Sequence, residues 1–169
     1  MKNYVKAVLY AYPVLKTVEK EYNQHISNMA LLSYRSDAPA EVVAERIVGQ
    51  IVEKDDLLWL KDQTEKIMEQ LSELERTLLA VKFFGKERKL KRTLPKADGR
   101  KFPFSESKYF RMQMRLGEKM GAKLCAIGLT ENEFEKRFSQ MELFQLIFTY
   151  MQRRENRGLS DRERRWLKG

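Results

Sequence analysis

Apolar residues recur every three or four positions through most of the chain, the spacing that builds one buried face of a helix. Val5, Val8, Leu9, Tyr12, Leu15, Val18 and Tyr22 predict a helix over 2–34, with Pro13 starting a second helix or kinking the first. Five tyrosines fall in this stretch and read as aromatic core and surface. The run Tyr34-Arg35-Ser36-Asp37-Ala38-Pro39-Ala40 is a break. Asp37 is expected to cap the next helix, with Pro39 in its first turn. Val43, Ile47 and Ile51 then form one stripe, Lys54-Asp55-Asp56 interrupts it, and Leu57, Leu60, Ile67 and Leu71 form a second. The interruption predicts two helices or one bent helix. The acidic pair has no third ligand at helical spacing, so it reads as a helix N-terminus, where negative charge is favoured.

Ser72-Glu73-Leu74-Glu75 has the form of a capping box and opens a helix that carries Leu74, Leu78, Leu79, Val81 and Phe84 and ends at Gly85. Periodicity then stops. Residues 86–104 are basic, contain Pro95 and Pro103, and hold the turn pair Asp98-Gly99 between alternating residues. They predict a short basic β-hairpin or ordered loop near 88–103, or a short helix at 87–94. Ser105 opens a helix to about Ala126, with Gly128 as its terminator. Thr130-Glu131-Asn132-Glu133 is a second box-like start, followed by Phe134, Phe138, Met141, Phe144, Ile147, Phe148 and Met151. This strong stripe is expected to be buried against the N-terminal helices or a partner. Ser160-Asp161-Arg162-Glu163 marks a third start before Trp166 and Leu167. The pattern predicts a mainly α protein, a multi-helix bundle in three regions: 1–71, 72–127 and 128–169.

Composition narrows the functions. With one cysteine, Cys125, and one histidine, His25, among 169 residues, no disulfide framework or multi-cysteine zinc site can form. No Gly-rich phosphate loop, Ser/His/Asp set or metal spacing appears, so the chain does not read as an enzyme, and no cofactor is expected. Cys125, between Leu124 and Ala126, reads as a small buried apolar residue. The longest apolar-rich stretch, Met141 to Met151, is short of the ~20 residues that span a bilayer. The N-terminus shows no signal-peptide pattern, so a cytoplasmic protein without membrane partners is expected.

Charge narrows them further. Residues 1–81 carry 10 basic and 13 acidic side chains, residues 82–123 carry 14 and 4, and residues 124–169 carry 9 and 7. The excess of +9 is therefore gathered in the middle segment, an electrostatic footprint for a polyanion. A solvated basic loop is the plainer reading, but Phe and Met are interleaved with the charges. In the helix opened by Ser105, Tyr109, Met112, Leu116 and Met120 lie within about 60° of one direction at 100° per residue. Ser107, Arg111, Arg115 and Glu118 point the other way, with Lys108 on the border. A helix backed by apolar residues thus exposes a basic face near its positive end.

The stretch Leu71-Ser72-Glu73-Leu74-Glu75-Arg76 with Leu78-Leu79, followed by Ser105 and the Tyr109, Met112, Leu116, Met120 pattern, resembles the region-four domain of bacterial sigma factors and the related phage-type, ArpU-like transcriptional regulators. The resemblance covers about 50 residues. It implies a helix-turn-helix unit with Ser105, Ser107, Lys108, Arg111 and Arg115 on the DNA side. The basic segment, through Lys86, Arg88, Lys89, Lys91, Arg92, Arg100 and Lys101, would add phosphate contacts. Where that family has a short apolar scaffold helix, this chain has the basic, proline-containing 86–104, with Leu90 and Leu94 the only candidates for its remnant.

The expected function is a DNA-binding transcription regulator acting on duplex DNA. A helical interaction module using the Phe-rich stripe and the N-terminal helices, for example with RNA polymerase, stands beside it. So does an RNA-binding protein using the basic 86–101 segment. The pattern also admits a homodimer.

Overall fold

The computed structural model describes residues 1–35, 37–84 and 105–155. Among them it is 86% helical and has no strand. The elements are α1 (Asn3–Ser33), α2 (Ala40–Glu69), α3 (Glu73–Leu79) running into a π-helical turn (Ala80–Phe84), α4 (Glu106–Ala126), α5 (Glu131–Phe138) and α6 (Glu142–Glu155). The hairpin or helix expected at 87–103 and the start expected at Ser160 lie outside the described residues.

Local signals account for four of the helix ends. Ser72 caps α3 in a reciprocal box: its hydroxyl accepts from the Glu75 N–H at 3.3 Å, and the Glu75 carboxylate accepts from the Ser72 N–H at 2.9 Å. Ser105 and Thr130 cap α4 and α5 by accepting from the Lys108 and Glu133 N–H groups. The end of α4 is a Schellman motif. Gly128 adopts φ 87°, its N–H donates to the Cys125 carbonyl at 2.9 Å, and the Leu129 N–H donates to the Leu124 carbonyl at 2.9 Å. Leu124 and Leu129, the positions whose apolar side chains usually meet across this motif, are both fully buried.

Two expectations at helix ends are corrected, and one choice is decided. Of the two alternatives at Pro13, no second helix starts there; α1 is one helix from Asn3 to Ser33 with Pro13 inside it. Asp37 does not cap α2. Pro39 occupies the cap position with extended backbone, and its carbonyl accepts from Val42 and Val43, which leaves Asp37 two residues upstream. Asp55 and Asp56 mark no helix start, because α2 is one helix from Ala40 to Glu69. Asp56 instead receives the Arg137 guanidinium of α5, which also lies 4.3 Å from the centre of the Trp59 ring. An interruption in the apolar pattern here records a tertiary tether.

One apolar core joins all the elements. The first half of α1 enters it on nearly every side, through Tyr4, Val5, Ala7, Val8, Leu9, Ala11, Leu15 and Val18. The second half of α2 supplies Leu57, Leu60, Ile67 and Met68. Phe134, Phe138 and Phe144 are buried in the same core with Met141, Ile147 and Met151, and Phe148 is half-buried against it. Phe134 meets Phe144 edge-on at 5.0 Å and Tyr4 at 5.9 Å. The Phe-rich stripe is therefore folded within the chain, across a turn at 139–141.

The other halves of α1 and α2 differ. They pair antiparallel, with the Tyr22 hydroxyl on the Glu53 carboxylate at 3.2 Å and the Lys54 ammonium on the Asn23 side-chain oxygen at 3.2 Å. No residue described between 19 and 56 is buried. The two helices leave the core as a two-helix arm.

Candidate nucleic-acid interface

The basic face expected on the helix opened by Ser105 is α4, and the fold sets its rotation. Tyr109, Leu116, Met120 and Leu124 are buried, Met112 is half-buried, and Gln113 is buried between them. Gln113 Nε2 donates to the Leu78 carbonyl at 3.0 Å and to the Tyr109 hydroxyl at 3.2 Å. Leu78 lies just before the π-helical turn, where the α-helical bonding of α3 shifts register. The Gln113 side chain thus locks α4 to the end of α3. Its Oε1 is buried without a hydrogen-bond partner. Sequence reasoning missed Gln113 because a polar residue inside an apolar stripe has no partner visible in the sequence. At the same helix Gly117 admits Met1 of the N-terminus; a Cβ there would lie 2.7 Å from Met1 Cε.

With α4 locked this way, Ser105, Ser107, Lys108, Arg111 and Arg115 are all exposed. Ser105 is engaged as the helix cap, and its hydroxyl proton remains able to donate to an anion. Arg111 and Arg115 form no ion pair with any described residue. The later basic residues of the same helix are tied down. Lys119 pairs with Glu75 of α3 at 2.7 Å and Lys123 donates to the Gln70 side chain. Lys119, together with the box N–H of Ser72, holds the Glu75 carboxyl below its usual range. The cations of this face thus divide into an anchored C-terminal pair, Lys119 and Lys123, and an open pair nearer the helix start, Arg111 and Arg115.

Two apolar residues share the open part. Phe110 is 42% exposed and Met114 is 61% exposed. Both fall outside the buried stripe at 100° per residue, about 100° and 140° from Tyr109, so the helical wheel held the signal for them. The remaining expected contacts, Lys86, Arg88, Lys89, Lys91, Arg92, Arg100 and Lys101, lie outside the described residues.

Cys125 departs from its expectation. It is exposed, with Sγ 3.8 Å from the Tyr4 hydroxyl. One position before the α4 terminus, it faces away from the stripe that buries Leu124. Burial, with Cys125 beside it, pushes the Tyr4 phenol up to about 12. Among the described residues no group of three or more His, Cys, Asp or Glu could hold a metal ion. No described helix is long and apolar enough to cross a membrane.

No protein-family model, no curated protein and no solved structure matches the chain.

Proposed function

We propose that this protein is a DNA-binding transcription regulator that lays the open face of α4 against duplex DNA. The observation that carries the reading is the pair Arg111 and Arg115, one turn apart, exposed and without an acidic partner among the described residues. An unpaired guanidinium presents a planar fork that matches the N7 and O6 acceptors of guanine. Ser105, Ser107 and Lys108 stand at the positive end of the helix, where phosphate is favoured. Phe110 and Met114 provide apolar surface suited to a thymine methyl group. The resemblance to sigma region four and to phage-type regulators gives the same orientation to this helix. The basic residues between 86 and 101 add a sequence-independent attraction.

Selection from a random duplex library identifies the preferred site, and two variants then separate the roles. Arg111→Ala is expected to cost about 1–3 kcal/mol on that site and little on random duplex. Lys108→Ala is expected to weaken both duplexes alike and to lower the salt slope by roughly one unit. Equal small losses for both variants, or a preference for RNA over duplex DNA, overturns the reading.

A further inference from the structure

The arm carries more apolar surface than its own pairing can use. Taking Ile47 of α2 as the reference direction, Val43 lies at about −40°, Ile51 at 40°, Ala44 at 60°, Val48 at 100° and Val52 at 140°. This arc spans about 180°, wider than the roughly 100° stripe that a helix ordinarily presents to its core. Val43 and Ile47 are half-buried. The flank that remains is open: Ile51 is 39% exposed, Val52 55% and Val48 58%.

The charges around that flank are of one sign. Glu41 and Glu45 fall at about 120° and 160° on the same wheel, and Asp55 at about 80°. Between about 40° and 160°, the sector that holds the open flank and these acids, α2 has no basic residue from 40 to 55; Arg46 falls at about −100°, and Lys54, at about −20°, lies on the seam side of the apolar arc. Over 19–56 the chain has eight acidic and four basic side chains, although the whole chain has an excess of +9. An apolar strip with acidic groups at both ends repels a second copy of itself. An antiparallel pairing centred near Val48 or Gln50 sets Asp55 against Glu41 or Glu45 of the other copy, and a parallel pairing sets each acid against its own counterpart.

We infer that this flank of α2 is a docking site for a basic amphipathic helix of a partner protein. Apolar residues of the partner at three- and four-residue spacing would cover Ala44, Val48, Ile51 and Val52, and its Lys or Arg residues would meet Glu41, Glu45 and Asp55. The site is separate from the α4 face and does not depend on DNA binding.

The probe is a synthetic amphipathic helix of leucine and lysine, titrated into the full-length protein, with a leucine–glutamate helix of the same spacing as control. The lysine helix is expected to bind and the glutamate helix not to. Val48→Asp is expected to weaken binding by about tenfold or more. Glu45→Lys leaves the apolar strip intact and is expected to weaken binding and flatten its salt dependence. Circular dichroism verifies that both variants keep their helices. Absence of binding, binding indifferent to both variants, or equal binding of the glutamate helix overturns the inference. So does sedimentation showing a dimer that Val48→Asp dissociates, since the flank then belongs to a second copy.

Discussion

The two longest helices each live in two environments. In α1 every buried residue lies between Tyr4 and Val18, and the half that follows has none. In α2 the order is reversed: the half before Leu57 has no buried residue, and Leu57, Leu60, Thr64, Ile67 and Met68 come after it. The apolar period continues through both regions. Period alone therefore specifies a helix, whereas the number of neighbours specifies how much that helix is stabilised. Over its whole length α1 packs against α2, α4, α6 and the π-helical turn, but every residue it buries lies in the core half. The core thus resembles a packed bundle, and the arm a helical pair whose stability rests on one seam.

Paired truncations test this difference most directly. Phe144 is fully buried, and Phe144→Ala is expected to cost about 3–5 kcal/mol in urea unfolding. Ile47 is half-buried in the arm seam, and Ile47→Ala is expected to cost less than about 1.5 kcal/mol. Comparable losses at the two positions would mean that the arm is covered in solution as fully as the core.

Alkaline pH separates the regions by a second route. Burial pushes the Tyr4 phenol in the core up to about 12, and burial with the neighbouring Glu53 carboxylate does the same to Tyr22 at the root of the arm, where its ring packs against the edge of the core. A raised phenol favours its neutral form in the folded state. Its contribution is complete below pH 10 and is lost as pH rises toward about 12. Tyr4→Phe is expected to reduce the alkaline loss of global stability over that interval. Tyr22→Phe is expected to reduce only the loosening of the arm, read as amide exchange within 19–33 and 40–56. A global effect of Tyr22→Phe would merge the two regions into one cooperative unit.

What could be read in the sequence follows the range of each interaction. The caps at Ser72, Ser105 and Thr130 and the terminator Gly128 act within three or four residues, so local spacing announces them. The buried stripe of α4 and the exposure of Ser107, Lys108, Arg111 and Arg115 were equally legible, because a helix of known phase leaves one outward side. Asp56 was misread because its partner, Arg137, is 81 residues away. Gln113 was missed for the same reason: it bonds across 35 residues to a carbonyl next to a π-helical turn that no local signal marks. Cys125 reads as buried from its apolar neighbours, but at 100° per residue it points about 160° from Tyr109, away from the buried side of α4. The arm was hidden because Val43, Ile47 and Ile51 show the same period whether or not anything covers them.

The smallest effect concerns the tie between α3 and α4. Glu75 does two jobs. Its carboxylate completes the capping box on the Ser72 N–H, and it accepts the Lys119 ammonium at 2.7 and 2.9 Å. Gln can complete a capping box as well as Glu, so Glu75→Gln keeps the first job and removes the charge behind the second. The pair is partly exposed, at 25% for Glu75 and 42% for Lys119, so the loss at neutral pH is expected to stay within about 1 kcal/mol. Its pH dependence is more telling than its size. Lys119 and Ser72 lower the folded-state pKa of Glu75. The stabilisation is therefore present above the ordinary carboxylate pKa of ~4.3 and disappears as pH falls through the lowered value. Unfolding curves of the original and the Glu75→Gln protein are expected to be offset at neutral pH and to converge in acid. Raising the salt to about 1 M, where the Debye length is ~3 Å, is expected to shrink the neutral-pH offset as well. Curves that coincide at every pH would mean that Lys119 is released in solution and joins Arg111 and Arg115 as a third open cation. The open part of α4 would then extend a further turn, and Lys119→Ala would lower the salt slope of duplex binding.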